Sequence, residues 1–469
     1  MLVMKFGGTS VGDAGCFRQV KEIVARAARE RPPVVVVVSA ISTVTETLLE
    51  AARRAAAGEK ALVEERLSYL EQKHLRLADE LFPGPQRERA RAAALEILTE
   101  FRKICGGMEQ LRELPLRAMD AGLSVGERLS ATLLALYLED QGIAAQAVDT
   151  VQCLVTDDNF GSARPLMDLT REAMRRLLLP LTEKRTVPVV TGFLGATREG
   201  VRTTLGRGGS DYSAAIVAAA LDAGELWIWT DVDGVLSADP KMVGEAKILD
   251  ELTYEEASEL SHFGAKVLHH KTLAPLVARM IPVWIKNTFA PDKPGTCIGP
   301  PRAHSAKGPK AVTSLAPVTM LTLRSNGTPG TTELFARTFA SLSRSEVDIL
   351  MVTQASYQNS FCFLVPQAEA ERAKLGLEQA FRLELNYRYL EPPDRQDVTA
   401  VALIGEGMRG TPGIAAGLFG ALGRQKINVI AIAQGASESN ISLVVALEDR
   451  AAAVRAIHQE FIAPAAPSR

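Results

Sequence analysis

The feature that most restricts the fold is a repetition near the end of the chain. The run VTMLTLRSNGTPGTTELFARTFASLSRSEVDILMVTQ begins at Val318, and VTAVALIGEGMRGTPGIAAGLFGALGRQKINVIAIAQ begins at Val398. Val318 and Val398, Gln354 and Gln434, and Phe381 and Phe461 each lie 80 positions apart, so the register holds without a gap. Each copy reads as strand, Gly-rich turn, helix, strand, strand, helix, which predicts two tandem small α+β modules. The second copy contains Gly405-Glu406-Gly407-Met408-Arg409-Gly410, a formal dinucleotide-binding pattern. The strand that follows ends in Gln434 rather than an acidic residue, and the first copy lacks the pattern, so a turn common to duplicated modules explains the glycines.

Ahead of the repeat the pattern changes. Short continuous apolar runs, LVMKF, PVVVVVS (Pro33 to Ser39), IAAQAV (Ile143 to Val148), TVPVVTG (Thr186 to Gly192), ELWIWT (Glu225 to Thr230) and IPVWIKN (Ile281 to Asn287), alternate with helical spacing. Apolar runs without alternation predict a mostly parallel sheet sandwiched by helices, an α/β domain. Residues 45–120 carry no strand signal and read as a helical insertion. Pro and Gly crowd the stretch from Pro291 to Pro317, which reads as a linker. The expected organisation is a catalytic portion at 1–292, a linker at 293–316, and modules at 317–392 and 393–469.

The 53 Lys plus Arg nearly balance the 55 Asp plus Glu, which removes the charge footprint of a general nucleic-acid or membrane-surface binder. Small molecules and other protein chains are the expected partners. Five scattered cysteines without a CxxC pair suggest neither a disulfide framework nor a zinc cage. No apolar run reaches the roughly 18 to 20 residues of a membrane span, and a cytoplasmic location is expected.

Three turns fall where parallel strands should end, the place at which open α/β sheets bind ligands. In KFGGTS, glycines bring backbone N–H groups close to an oxyanion and Lys5 adds a mobile positive charge. In TTLGRGGSDYSAA, Gly206, Gly208 and Gly209 precede a helix expected from Ser210 to Gly224, placing Arg207 and Asp211 at its N-terminus. A capped glycine loop alone would account for Ser210 but not for the paired charges. The third, TDVDGVLSADPK, follows ELWIWT and suits ribose and phosphates.

Together with FGAKVLH (Phe263 to His269) and IPVWIKNTF, these motifs resemble the aspartate kinases of the amino acid kinase superfamily. The duplicated tail is similar to that family's tandem ferredoxin-like ACT regulatory modules. The resemblance implies an amino acid kinase fold and ATP-dependent phosphorylation of the β-carboxylate of L-aspartate. By resemblance, Lys5 stabilises the transferring phosphoryl, and Gly7, Gly8, Thr9 and Ser10 form the loop around it. Arg207 and Ser210 serve the substrate, with Arg207 on its α-carboxylate, and Asp211 and Glu127 receive its α-ammonium. Thr45 is a further substrate contact, although the wording around it differs. Thr230, Asp231, Asp239, Lys241 and Lys266 lie on the nucleotide side. Mg²⁺ is expected through ATP phosphates, with no protein ligand assigned. Two departures from the family pattern are His270, where a proline commonly follows the histidine, and Leu236, where an aromatic often stands.

The tail resembles the kinase portion of bifunctional aspartokinase–homoserine dehydrogenases, which leans the expected feedback effector toward threonine over lysine, with Gln354 and Gln434 as candidate contacts. A homodimer or larger homo-oligomer is expected from the way ACT modules pair. A different carboxylate acceptor, or a silent amino-acid sensor, remains open as an alternative.

Overall fold

The computed structural model describes residues 1–264, 268–301, 308–325, 330–354 and 360–463. The candidate Lys266 lies outside them. Two compact units emerge: the first comprises Met1–Val235, Asp250–Tyr254 and Leu268–Pro300, and the rest of the described chain forms the second.

The first unit holds ten strands: β1 (Leu2–Phe6), β2 (Val34–Val38), β3 (Ala145–Val148), β4 (Val187–Thr191), β5 (Leu194–Ala196), β6 (Arg202–Thr204), β7 (Glu225–Thr230), β8 (Glu251–Thr253), β9 (Val283–Asn287) and β10 (Thr296–Gly299). Eight of them form one sheet in the order β3-β4-β2-β1-β7-β9-β10-β8, while β5 and β6 make a hairpin. Within the large sheet the β9–β10 pair is antiparallel and the others are parallel, as the continuous apolar runs predict. Every residue of β1, β2 and β4 is buried, so both faces of the sheet centre are covered. The stretch read as a linker contributes β10 to this sheet, where Cys297 and Ile298 are buried.

The unit's helices are α1 (Ala14–Glu30), α2 (Val44–Ala57), α3 (Lys60–Leu81), α4 (Gln86–Leu111), α5 (Leu116–Asp140), α6 (Met167–Glu183) and α7 (Gly209–Ala220). In α2 to α5, apolar residues at helical spacing, such as Val63, Leu67, Leu70 and Leu77 of α3, join one core with the strands. The helical insertion is therefore continuous with the core beneath the sheet. A further helix of this unit is α9 (His270–Val277), while α8 (Tyr254–His262), apart from Tyr254, belongs to the second unit.

The second unit carries the repeat as β11 (Ala311–Arg324), α10 (Thr331–Arg344), β12 (Met351–Gln354), β13 (Ser360–Pro366) and α11 (Ala370–Ala380), then a short α12 (Arg382–Asn386). The second copy is β14 (Asp394–Ile404), α13 (Ile414–Arg424), β15 (Ala431–Gln434), β16 (Asn440–Ala446) and α14 (Arg450–Phe461). All six strands form one antiparallel sheet, β12-β13-β11-β14-β16-β15. The two central strands are longer than either module requires. Val318–Arg324 of β11 pairs with β13 as the first strand of the first copy, whereas Ala311–Leu315 pairs only with Leu403 and its neighbours in β14. Reciprocally, Val398–Ile404 of β14 pairs with β16, and Asp394–Val398 lies against the first copy's β11. Each copy thus takes its fourth strand from the long strand that opens the other.

Each copy has its own core. The first is aromatic, with Phe361, Phe363 and Phe381 fully buried. The second is aliphatic, and Ala238 and Val243 from the segment Leu236–Leu249 enter it beside Leu418, Leu443 and Ile457. That segment carries Asp239 and Lys241. Ser237 within it is fully buried and hydrogen-bonds His458 of α14 at 3.0 Å. Among the described residues no helix is long and apolar enough to cross a membrane.

Candidate active site

The site grows from the end of β1, the strand flanked by β2 and β7. After Phe6 the chain leaves the sheet through Gly7 and Gly8 into a single helical turn, Thr9–Val11, and Asp13 caps α1 by accepting the Cys16 amide at 2.9 Å. Gly7 N donates to the Trp229 carbonyl at 3.1 Å, and Ser42 N donates to the Gly8 carbonyl at 3.2 Å. A side chain at position 8 would place its Cβ 2.9 Å from the Ala40 carbonyl oxygen, a clash with backbone. Glycine is therefore required at Gly8 by close approach of the two turns, the one after β1 and the one after β2.

Lys5 is buried, and its ammonium stands 2.5 Å from Asp211 Oδ1. Asp211 occupies the first turn of α7, whose N-cap Gly208 has φ +70°, with Gly206 at +77° in the turn before it. Both glycines occupy the left-handed region that other residues rarely enter. Beyond this polar first turn α7 is almost wholly buried, which fixes where Asp211 points. Ser210, partly buried, packs against Gly192 so closely that a Cβ there would lie 2.8 Å from that of Ser210. At this distance the Lys5 ammonium is the partner of Asp211 Oδ1, a close ion pair at the N-terminus of α7.

Glu127 lies on α5, which approaches the Ala40 turn closely enough that a Cβ on Gly126 would meet Ala40 Cβ at 2.8 Å. Its side chain is buried and Oε2 has no hydrogen-bond partner among the described residues. Burial pushes the carboxyl up to about 8, with the Ala40 and Glu127 amides and the Lys5 charge acting in the opposite direction. A buried acid without a full set of partners is the type of group found where a ligand is to be bound.

The other candidates are distributed as follows. Thr45 is partly buried in the first turn of α2, and Arg207 is exposed on the glycine turn before α7. Thr230 ends β7 one residue beyond Trp229, the neighbour of Phe6, and donates to Asp231 Oδ1 at 3.1 Å. Lys5, Gly7, Gly8, Thr9, Thr230, Asp231, Asp211 and Glu127 therefore share the first unit. Asp239, whose Oδ1 accepts the Lys241 amide at 2.9 Å, and Lys241 itself belong to the second unit. Ser10 is used internally: its hydroxyl reaches the Trp229 carbonyl at 3.2 Å and Thr288 Oγ1 at 2.7 Å, and its amide donates to Gly7. Gln354 and Gln434 are exposed at the ends of β12 and β15, and those strands meet where Thr353 Oγ1 donates to the Ile432 carbonyl at 2.9 Å. His269 caps α9 by accepting from the Lys271 amide at 3.3 Å.

Sequence reading overlooks Asp120. This buried carboxylate accepts from Thr204 N at 3.0 Å, Thr204 Oγ1 at 2.7 Å and Gly161 N at 2.9 Å, holding β6 just ahead of the glycine turn. Its signal was its place on α5, two helical turns before Glu127 and on the same face.

The amino acid kinase family profile matches residues 1–287, and the ACT domain profile matches 321–381 and 401–461. The chain is 34% identical over 473 residues to the bifunctional aspartokinase/homoserine dehydrogenase of Haemophilus influenzae, covering 98% of this chain and 56% of that protein. It is 34% identical over 471 residues to chloroplastic aspartokinase 3 of Arabidopsis thaliana, covering 98% of this chain and 81% of that one. The chain spans about half the length of the bifunctional curated relatives it matches. Among solved structures, E. coli aspartokinase III in complex with aspartate and ADP (R-state) superposes with a TM-score of 0.83 at 29% identity, covering 98% of this chain and 99% of that one. The same enzyme with lysine and aspartate (T-state) gives 0.79 at 29% identity and the same coverage. The chain belongs to the amino acid kinase family, among its aspartokinase relatives, and carries two ACT domains behind the kinase portion.

Proposed function

We propose that this chain is an aspartate kinase, transferring the γ-phosphoryl of ATP to the β-carboxylate of L-aspartate to give 4-phospho-L-aspartate. The observation that carries the reading is the Lys5–Asp211 ion pair at the glycine turn after β1, within the electrostatic reach of the buried Glu127 carboxyl, whose Oε2 has no hydrogen-bond partner among the described residues. A carboxylate acceptor with a pKa near 4 is already ionised at neutral pH, so the reaction needs no general base. What it needs is neutralisation, because one anion must attack another.

The residues divide that work. The substrate ammonium competes for Asp211 and so releases Lys5 toward the phosphoryl oxygens. Glu127 gives up its proton when the ammonium arrives, because a cation at that point favours the ionised form. Arg207, together with Ser210 and Thr45, is assigned to the substrate, with Arg207 on the α-carboxylate, for which a bidentate guanidinium suits. Gly7, Gly8, Thr9 and Ser10 supply the close backbone at the phosphates, and Thr230, Asp231, Asp239, Lys241 and Lys266 are assigned to the rest of the nucleotide. An attacking carboxylate oxygen forms the new P–O bond as the bond to the β–γ bridging oxygen breaks and ADP departs.

The described residues contain no cluster of three or more His, Cys, Asp or Glu able to hold a metal. We place Mg²⁺ on the ATP phosphates, the arrangement that suits an ion reluctant to shed its waters, where it would offset triphosphate charge. Feedback is assigned to the ACT domains, with threonine or lysine as effector at Gln354 and Gln434, in a homodimer or larger assembly. E. coli aspartokinase III has been solved in complex with lysine and aspartate, which supports an amino-acid effector for this chain.

The test is acyl-phosphate capture by hydroxylamine with aspartate, glutamate and N-acetylglutamate, each titrated with threonine and lysine. Product from aspartate alone is expected; product from another acceptor, or from none, overturns the reading.

A further inference from the structure

Thr43, the residue before α2, has φ +72°. A β-branched residue rarely enters this region, and here it serves as the N-cap of α2 without a side-chain cap bond. Its peptide neighbourhood matters to the site. Ser42 N is the donor to the Gly8 carbonyl, and Thr45 follows in the first turn of α2. The conformation is held from outside the turn by α3 of the helical insertion. Lys73 Nζ donates to the Ser42 carbonyl at 2.8 Å and to Thr43 Oγ1 at 3.1 Å. Tyr69 OH meets Thr43 Oγ1 at 3.2 Å, and the Lys73 ammonium lies 5.8 Å from the Tyr69 ring centroid. One turn of helix separates the two side chains, so both reach the same spot.

We propose that Lys73, supported by Tyr69, is a positioning residue for aspartate: it clamps the Ser42–Thr43 turn in its unfavourable left-handed form so that Thr45 and the Gly8 loop keep their places. The proposal rests on the aspartate kinase reading and gives the insertion a role at the site. A glycine at position 43 would adopt the same backbone without cost, so the clamp becomes dispensable there. That dependence separates a positioning lysine from one that binds ligand directly or merely adds stability.

The experiment is steady-state kinetics of the full chain with Lys73→Met and Tyr69→Phe, each made alone and in a Thr43→Gly background, together with amide exchange of residues 44–47. Lys73→Met is expected to raise the KM for aspartate about tenfold, with kcat and the KM for ATP nearly unchanged. Tyr69→Phe should give a smaller rise. In the Thr43→Gly background, Lys73→Met should change KM by less than about twofold and leave exchange where that background sets it. An equal KM rise in both backgrounds, a loss confined to kcat, or unaltered exchange in Lys73→Met overturns the clamp. If the unmutated chain makes no acyl phosphate from aspartate, the functional reading fails on its own, while the exchange data still decide whether Lys73 holds the turn.

Discussion

Among the described residues, two Lys–carboxylate pairs share the same chemistry but differ in burial and in completeness. In the first unit, Lys5 and Asp211 stand 2.5 Å apart with side chains 10% and 22% exposed. In the second, Lys310 and Glu256 stand 2.9 Å apart with side chains 9% and 0% exposed. Glu256 also accepts the Glu406 amide at 2.8 Å, and its helix neighbours Glu255 and Glu259 take Ser439 and Asn440. There the polar capacity is spent on holding α8 to the second ACT copy. Around Lys5 capacity is left over at Glu127, whose Oε2 has no hydrogen-bond partner among the described residues. The difference teaches that burial of a charge pair does not by itself point to a ligand; unspent hydrogen-bonding capacity beside it is what directs the proposal to Lys5.

The sharpest way to break this comparison is to remove each lysine. Lys5→Met should lower turnover by about 10³-fold, with a melting temperature that stays level, and Lys310→Met should do the reverse. Breaking the complete pair strands a fully buried carboxylate and is expected to cost about 3–5 kcal/mol in denaturant unfolding. Equal destabilisation by both changes would erase the distinction.

The incomplete site should also show itself in pH. Glu127 has a folded pKa of about 8 against an ordinary value of 4.5, so between these the native state holds the extra proton. Its contribution to stability is present below about 4.5 and is lost as pH rises toward about 8, by up to about 1.4 kcal/mol per unit. Glu127→Gln should flatten that slope, and aspartate should bind more tightly as pH rises through the same window; a slope unchanged in the variant would remove Glu127 from the account. The smallest effect is a recovery. Combining Lys310→Met with Glu256→Gln, which keeps an acceptor for the Glu406 amide, should bring unfolding to within about 1 kcal/mol of the parent. No recovery would mean that the pair does more than fill its own cavity.

Much of this arrangement is legible in the sequence because strand ends and glycine turns are local signals. KFGGTS and GRGGSD announce themselves by spacing, and the structure brings Lys5 to Asp211. Ser10 is different: its hydroxyl is absorbed by the Trp229 carbonyl and Thr288, partners some 219 and 278 residues away that no local pattern specifies. Asp120 and Lys73 escaped for the same reason, since both act across the fold on backbone groups. Residues 296–299 read as linker because proline and glycine crowd them, yet pairing with β8 and β9 makes them a strand. The 80-residue offset reveals two modules but not their exchange of strands, because an offset records likeness and not pairing.

That exchange has a mechanical meaning. With β11 and β14 each woven into both halves of the tail, a rotation imposed on one half must be carried by a strand that the other half also owns. The duplicated segment should therefore answer an effector as a single spring, and a message written at either end will be felt at both.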